Sequence, residues 1–199
     1  MNLGFDIDGV VADLATVMVE HINKEYNLSH TPDVFQNYYL IDNKYTNNDK
    51  LNLEIAHDIK RKVIDNPEAL MKIKPYDNVR KILLILRKNG HQLFFITARN
   101  SSFYDLTIKW FRKNKIPFDK IFTAENGEKG LLGRVLNLDF YIDDFHEHLE
   151  DMYRYKKRWH KGLILFNRPW NSNVYIDANK FTRLDNWEEV IRIIGIKNR

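Results

Sequence analysis

Strand-length apolar segments that alternate with helically spaced ones predict an α/β fold, a parallel sheet covered by helices on both faces. Two further observations fit that class. Acidic and hydroxyl side chains recur just after the apolar segments, where such sheets carry their ligands, and one polar stretch interrupts the alternation near its start. The 199 residues, 44% hydrophobic and 13% aromatic, suffice for one sizeable core with a modest insertion.

Leu3 to Ile7 reads as the first strand, stopping at Asp8-Gly9, and Leu14, Val17, Met18, Ile22 and Tyr26 carry the spacing of a helix. From Asn27 to about Tyr76 the chain is polar and rich in Asn and Tyr. A ladder at Leu51, Ile55, Ile59 and Val63 runs up to the Asn66-Pro67 break. Asp77 is the expected N-cap of a helix bearing Val79, Ile82, Leu83 and Leu86, which Gly90 ends. Strands are expected at Gln92 to Ile96, Lys120 to Thr123, Phe140 to Ile142 and Leu163 to Phe166. Helices are expected around Leu106 to Phe111, from Lys129, through Leu149 and Met152, and after Asp185, with Glu188 completing a capping box. The expected division is a core of residues 1–13 and 77–199, with a small helical insertion over 14–76.

Composition narrows the function classes. With no cysteine there is neither a disulfide framework nor a thiolate metal site, and a reducing compartment is expected. No apolar run approaches the roughly 18 residues of a membrane span. The first ten residues hold two aspartates and no basic stretch, unlike a secretory leader, so a cytoplasmic location is expected. A net charge of +4 mildly favours anionic ligands but is no concentrated basic field, and stable nucleic-acid binding is not expected. The densest basic cluster, Arg154 to Lys161, reads as a solvated helix face.

The chemistry-bearing residues follow the strands: Asp6 and Asp8 after the first, Thr97 with Arg99 after the second, and Asp143 and Asp144 after a later one. Lys129 opens a helix between them. Carboxylates about 4 Å apart repel by on the order of 4 kcal/mol at an effective dielectric of 20, so a cation belongs among them. A hard divalent ion with oxygen ligands, magnesium above others, suits Asp6, Asp8, Asp143 and Asp144. Lys129, Thr97 and Arg99 are candidates for holding a phosphoryl group. Asp6 can attack phosphorus, with Asp8 moving the protons. His146 and His148, flanking Glu147, also admit a transition-metal reading.

Asp-x-Asp-Gly-Val at residues 6–10, Thr97, Lys129 and Asp143-Asp144 resemble, in order, the four motifs of the haloacid dehalogenase superfamily of phosphatases. That resemblance implies a Rossmann-like sheet with Asp6 as nucleophile and Asp8 as acid and base. It further implies that Thr97 and Lys129 bind phosphate, and that magnesium is held by the late acidic pair together with the Asp8 main-chain carbonyl. The insertion then corresponds to a cap. FDIDGVVAD with FNRPWN is similar to the 5'(3')-deoxyribonucleotidase-like group, which implies a small phosphorylated substrate, a nucleoside monophosphate. Phe35, Tyr38 and Tyr39 could stack a base or form the insertion's own small core, and Arg168, Trp170 and Asn171 could line the pocket or pack as a Pro-Trp turn. Sugar phosphates and nucleic-acid ends are alternative substrates, and a non-catalytic metabolite-binding module is the alternative outside enzymes.

Overall fold

A computed structural model describes residues 1–124, 127–155, 159 and 162–195. Six strands form one sheet: β1 (Asn2–Phe5), β2 (Gln92–Thr97), β3 (Lys120–Thr123), β4 (Phe140–Asp143), β5 (Leu163–Phe166) and β6 (Phe181–Leu184). Every pairing is parallel, and the order is β3-β2-β1-β4-β5-β6. Order reverses around β1, so the ends of β1, β2 and β4 lie side by side at the edge where α/β sheets take ligands.

Two-residue periodicity divides the strand side chains between two cores. Leu3 and Phe5 of β1, Leu93 and Phe95 of β2, Ile142 and Ile164 face α4 (Val79–Lys88), α5 (Tyr104–Lys113) and α8 (Trp187–Ile194). On the opposite face Phe94, Ile96, Tyr141, Leu163 and Leu165 pack with α6 (Lys129–Val135) and α7 (His146–Tyr155). Strands buried on both faces explain the continuous apolar runs in the sequence.

A third cluster lies apart from the sheet. It joins Ala15, Met18, Val19 and Ile22 of α1 (Leu14–Tyr26) to Phe35, Tyr45 and the ladder Ile55, Ile59 and Val63. That ladder runs along α2 (Asp49–Ile59) into a π-helical turn, Lys60–Ile64, and a short α3 (Pro67–Leu70) follows the Asn66 cap. The chain leaves and rejoins the sheet region at one place, where Asp13 N–H donates to the Lys74 carbonyl and Tyr76 N–H to that of Val11.

Three expectations need correction. β6 went unread because Phe-Thr-Arg-Leu is a short edge strand, buried only at its two ends. The caps sit one residue later than expected: Asn186, not Asp185, accepts from Glu189 N–H, and Asn78, left-handed at φ 61°, precedes α4. Trp159, within the cluster expected on a solvated helix face, is buried. The remainder of the basic cluster, at 156–158, 160 and 161, lies outside the described residues.

Candidate active site

Asp6 directly follows β1, its N–H bonded to the Ile142 carbonyl of the neighbouring strand, and Asp143 is the last residue of β4. The parallel β1–β4 pairing therefore sets the two carboxylates side by side. Lys129, first residue of α6, reaches between them, with Nζ 2.5 Å from Asp6 Oδ1 and 2.9 Å from Asp143 Oδ2. Its side chain is 1% exposed, and the flanking anions hold the ammonium above its ordinary pKa although burial opposes charge. Asp144 completes a group in which one oxygen from each of Asp6, Asp143 and Asp144 lies within 4.8 Å of the others.

One lysine cannot balance three buried carboxylates. Burial pushes the Asp6 carboxyl up, reinforced by Asp143 and Asp144, and burial with repulsion from Asp143 raises Asp144 to about 7. Asp143 goes the other way: burial opposes its charge, but Lys129 and His148 outweigh that and hold it well below the usual carboxylate range. An all-oxygen donor set short of positive charge fits a hard divalent cation.

Neighbouring groups fix each carboxylate. Asp143 accepts from Tyr141 Oη at 2.8 Å and from Phe145 N–H at 2.9 Å, and it lies 3.1 Å from His148 Nδ1. Asp144 Oδ2 accepts from Trp170 Nε1 at 2.7 Å, while Asn171 Nδ2 donates to the Asp144 and Phe166 carbonyls, joining the loops after β4 and β5. Gly9, at φ +83°, is required here: a Cβ would lie 2.2 Å from Asp144 Oδ2.

Asp8 stands apart from that cluster. Both its oxygens accept from Arg99, at 2.7 Å from Nε and 2.6 Å from Nη2. The Asp8 side chain thus does not join the cation group, and Arg99 grips a carboxylate where a free phosphate ligand was expected. Thr97 is buried at the end of β2, its hydroxyl accepting from Arg99 N–H.

Two adjoining chambers open beside Asp8. A cavity of about 190 Å³ is lined by Met18, Phe35, Tyr38, Leu40 and Trp170 together with Asp8, Gly9 and Asp144. A wider, more polar cleft of about 610 Å³ is bounded by Asp8, Arg99, Ser101, Lys60 and Glu128. Ile64, carried by the π-helical turn, borders both. Tyr38 stacks on Phe145 at 3.7 Å and 9°, while Phe35 is buried edge-on to Tyr45 and serves the insertion's core as well as the chamber. Tyr39 and Arg168 do not line the chamber. Tyr39 is 49% exposed, with its hydroxyl 3.5 Å from Glu147 on a separate groove, and the Arg168 guanidinium lies against Tyr76 and Phe166 while Nε donates to the Gly9 carbonyl. Among the described residues the histidines join no metal-ligand group: His148 bonds Asp143, and His146 borders the Tyr39 groove.

The sequence reading missed Tyr141 and His148 as partners of Asp143, and Asn171 as the clasp between two loops. Tyr141 was findable, since it shares a strand face with Asp143 two residues on. Asn171 was not, because the Asp144 carbonyl that it ties to its own loop lies 27 residues away in the chain.

A family model described as 5' nucleotidase, deoxy (pyrimidine), cytosolic type C protein matches residues 1–199. YqfW of Bacillus subtilis, named as a candidate nucleotidase, is 30% identical over 193 residues, covering 96% of this chain and 92% of the relative. A nucleotidase of Clostridium acetobutylicum is 28% identical over 198 residues, covering 98% and 93%. The crystal structure of a HAD-superfamily hydrolase of subfamily IA from Geobacter sulfurreducens superposes with a TM-score of 0.60 at 16% identity, covering 98% of this chain and 96% of that one, a likeness of fold.

Proposed function

The chain belongs to the 5' nucleotidase, deoxy (pyrimidine), cytosolic type C family, and from that premise we propose that it hydrolyses nucleoside monophosphates with magnesium through a phosphorylated Asp6. It is a phosphate monoester hydrolase of the haloacid dehalogenase superfamily. The observation that carries the finer reading is the meeting of Asp6, Asp143 and Asp144 around Lys129, beside a chamber walled by aromatic and aliphatic side chains.

Asp6, Asp143 and Asp144, with the Asp8 main-chain carbonyl, would hold the magnesium ion, which when bound offsets the negative charge of the phosphoryl group. Asp6 attacks phosphorus, the bond to the leaving oxygen breaks, and that oxygen takes its electron pair and a proton from Asp8. Water then attacks the phosphorylated Asp6, gives its proton to Asp8, and frees the carboxylate and inorganic phosphate. Lys129 adds a fixed positive charge beside Asp6 throughout, and the Thr97 hydroxyl donates to a phosphoryl oxygen. Residues 14–76 act as a cap: Phe35, Tyr38, Leu40 and Met18 receive the nucleoside while the sheet edge does the chemistry.

Phosphate release from a panel of nucleoside, deoxynucleoside and sugar monophosphates, with magnesium and with a chelator, tests the reading. Metal-dependent release that is fastest from nucleotides is expected. A preference for sugar phosphates, or release that persists in chelator, would overturn the substrate or the metal part.

A further inference from the structure

The two-bond contact between Arg99 and Asp8 is left without a task by the chemistry above. Its geometry is that of a fork gripping a carboxylate, the arrangement in which arginine fixes direction as well as charge. The Arg99 side chain is 5% exposed against 23% for Asp8, so the guanidinium is the more buried member, and it borders only the wider cleft whereas Asp8 borders both chambers.

The side chains behind Arg99 are buried. Its Nη1 points to Thr107 Oγ1 at 3.5 Å, and the guanidinium carbon lies 5.8 Å from the Trp110 ring centre. Trp110 is 1% exposed and donates from Nε1 to the Ile73 carbonyl at 2.8 Å. The edge formed by Nε and Nη2 is filled by Asp8, Nη1 is directed at Thr107, and Lys129 already supplies the cation beside Asp6. A carboxylate offers about four lone-pair sites and the fork occupies two, so Asp8 keeps capacity for proton transfer while its plane is fixed.

We propose that Arg99 is a positioning residue: it holds the Asp8 carboxylate at the junction of the two chambers, aimed at the leaving oxygen, and does not bind the phosphoryl group. The inference rests on Asp8 acting as the acid in the proposed reaction. An alkoxide leaving group needs that proton, whereas p-nitrophenolate departs without one. Loss of the positioning residue therefore acts selectively on alkyl esters, which a merely structural role would not produce.

The experiment compares kcat/KM, which reports the steps through departure of the leaving group, on p-nitrophenyl phosphate and on the nucleoside monophosphate hydrolysed best. The proteins are the wild-type chain, Arg99→Ala, Arg99→Lys and Asp8→Asn, each checked for folding by thermal unfolding. Inhibition by inorganic phosphate is measured alongside. For Arg99→Ala the nucleotide value is expected to fall about 10²-fold, the lower end of what a positioned acid contributes, with a far smaller fall on the nitrophenyl ester. Arg99→Lys, keeping the charge without the fork, falls between, and it carries the test if Arg99→Ala does not fold. Phosphate inhibition stays as in wild type. Equal losses on both esters, or weakened phosphate inhibition, would make Arg99 a phosphate ligand and overturn the inference, as would an unaltered nucleotide value in the folded variants. If Asp8→Asn discriminates between the esters and the Arg99 variants do not, the inference alone fails. If the wild-type chain releases phosphate from neither ester, the functional reading fails and takes the inference with it.

Discussion

The sheet edge and the inserted helices both bury polar side chains, but of different kinds. At the edge they are charges: Asp6, Asp143, Asp144 and Lys129 are all at most 6% exposed, and the anions outnumber the cation they share. In the insertion they are neutral amides with their bonds made. Asn52 accepts through Oδ1 from Tyr45 N–H, Thr46 N–H and Thr46 Oγ1 and donates to the Thr46 carbonyl, while Asn43 clasps Asn37 and Tyr39. An unbalanced cluster is set up for a cation and a substrate, whereas a satisfied amide network only holds shape. The chemistry and the shape of its pocket are thus separable.

The largest test of that contrast is Lys129→Met. It removes the ammonium set between buried Asp6 and Asp143 and is expected to cost about 3–5 kcal/mol in chelator, read by chemical denaturation, with part restored by magnesium. An unchanged stability would mean the edge is not charge-strained. Next, Asn52→Ala strands several insertion groups at about 1–3 kcal/mol each where they stay buried, and thermal unfolding should show the loss. Turnover per folded molecule is expected to persist; its collapse would show that shape and chemistry are not separable. Trp170→Phe keeps the ring but loses the bond to Asp144, which should weaken magnesium about 10-fold in activation titrations, the low end for a partner of a metal ligand.

The smallest effect concerns pH. Burial would raise the Asp58 carboxyl, but hydrogen bonds from Arg61 and His21 outweigh it and hold it below its ordinary value. A carboxylate depressed in the folded state stabilises above its unfolded pKa, about 4, and loses that contribution as pH falls through the folded one. Since solvent screens the pair, Asp58→Asn should narrow the gap between neutral and acid stability by at most about 1 kcal/mol in unfolding curves. A wider gap would reverse the sign.

Most of the alternating core was legible because strands buried on both faces read as apolar runs. Leu163 to Phe166 and Lys120 to Thr123 fall where the spacing placed them. Asp6, Lys129, Asp143 and Asp144 were legible because they follow or open such elements. What escaped depends on distance in the chain: the Arg99 fork spans 91 residues and the Trp170 bond 26, and neither leaves a periodic trace. The aromatics of 35–39 were ambiguous in the sequence for a physical reason, since Phe35 packs the insertion's core and lines the chamber at once while Tyr39 turns to solvent.

The central claim, that chemistry resides at the sheet edge on Asp6, is tested most directly by acid-quenching a single turnover of a nucleotide carrying radiolabelled phosphate, with wild-type and Asp6→Asn chains in magnesium. Label bound covalently to the wild-type chain and absent from Asp6→Asn, with turnover lost by on the order of 10⁴-fold or more, is the expected result. Label on Asp6→Asn, or turnover that survives the substitution, would contradict it.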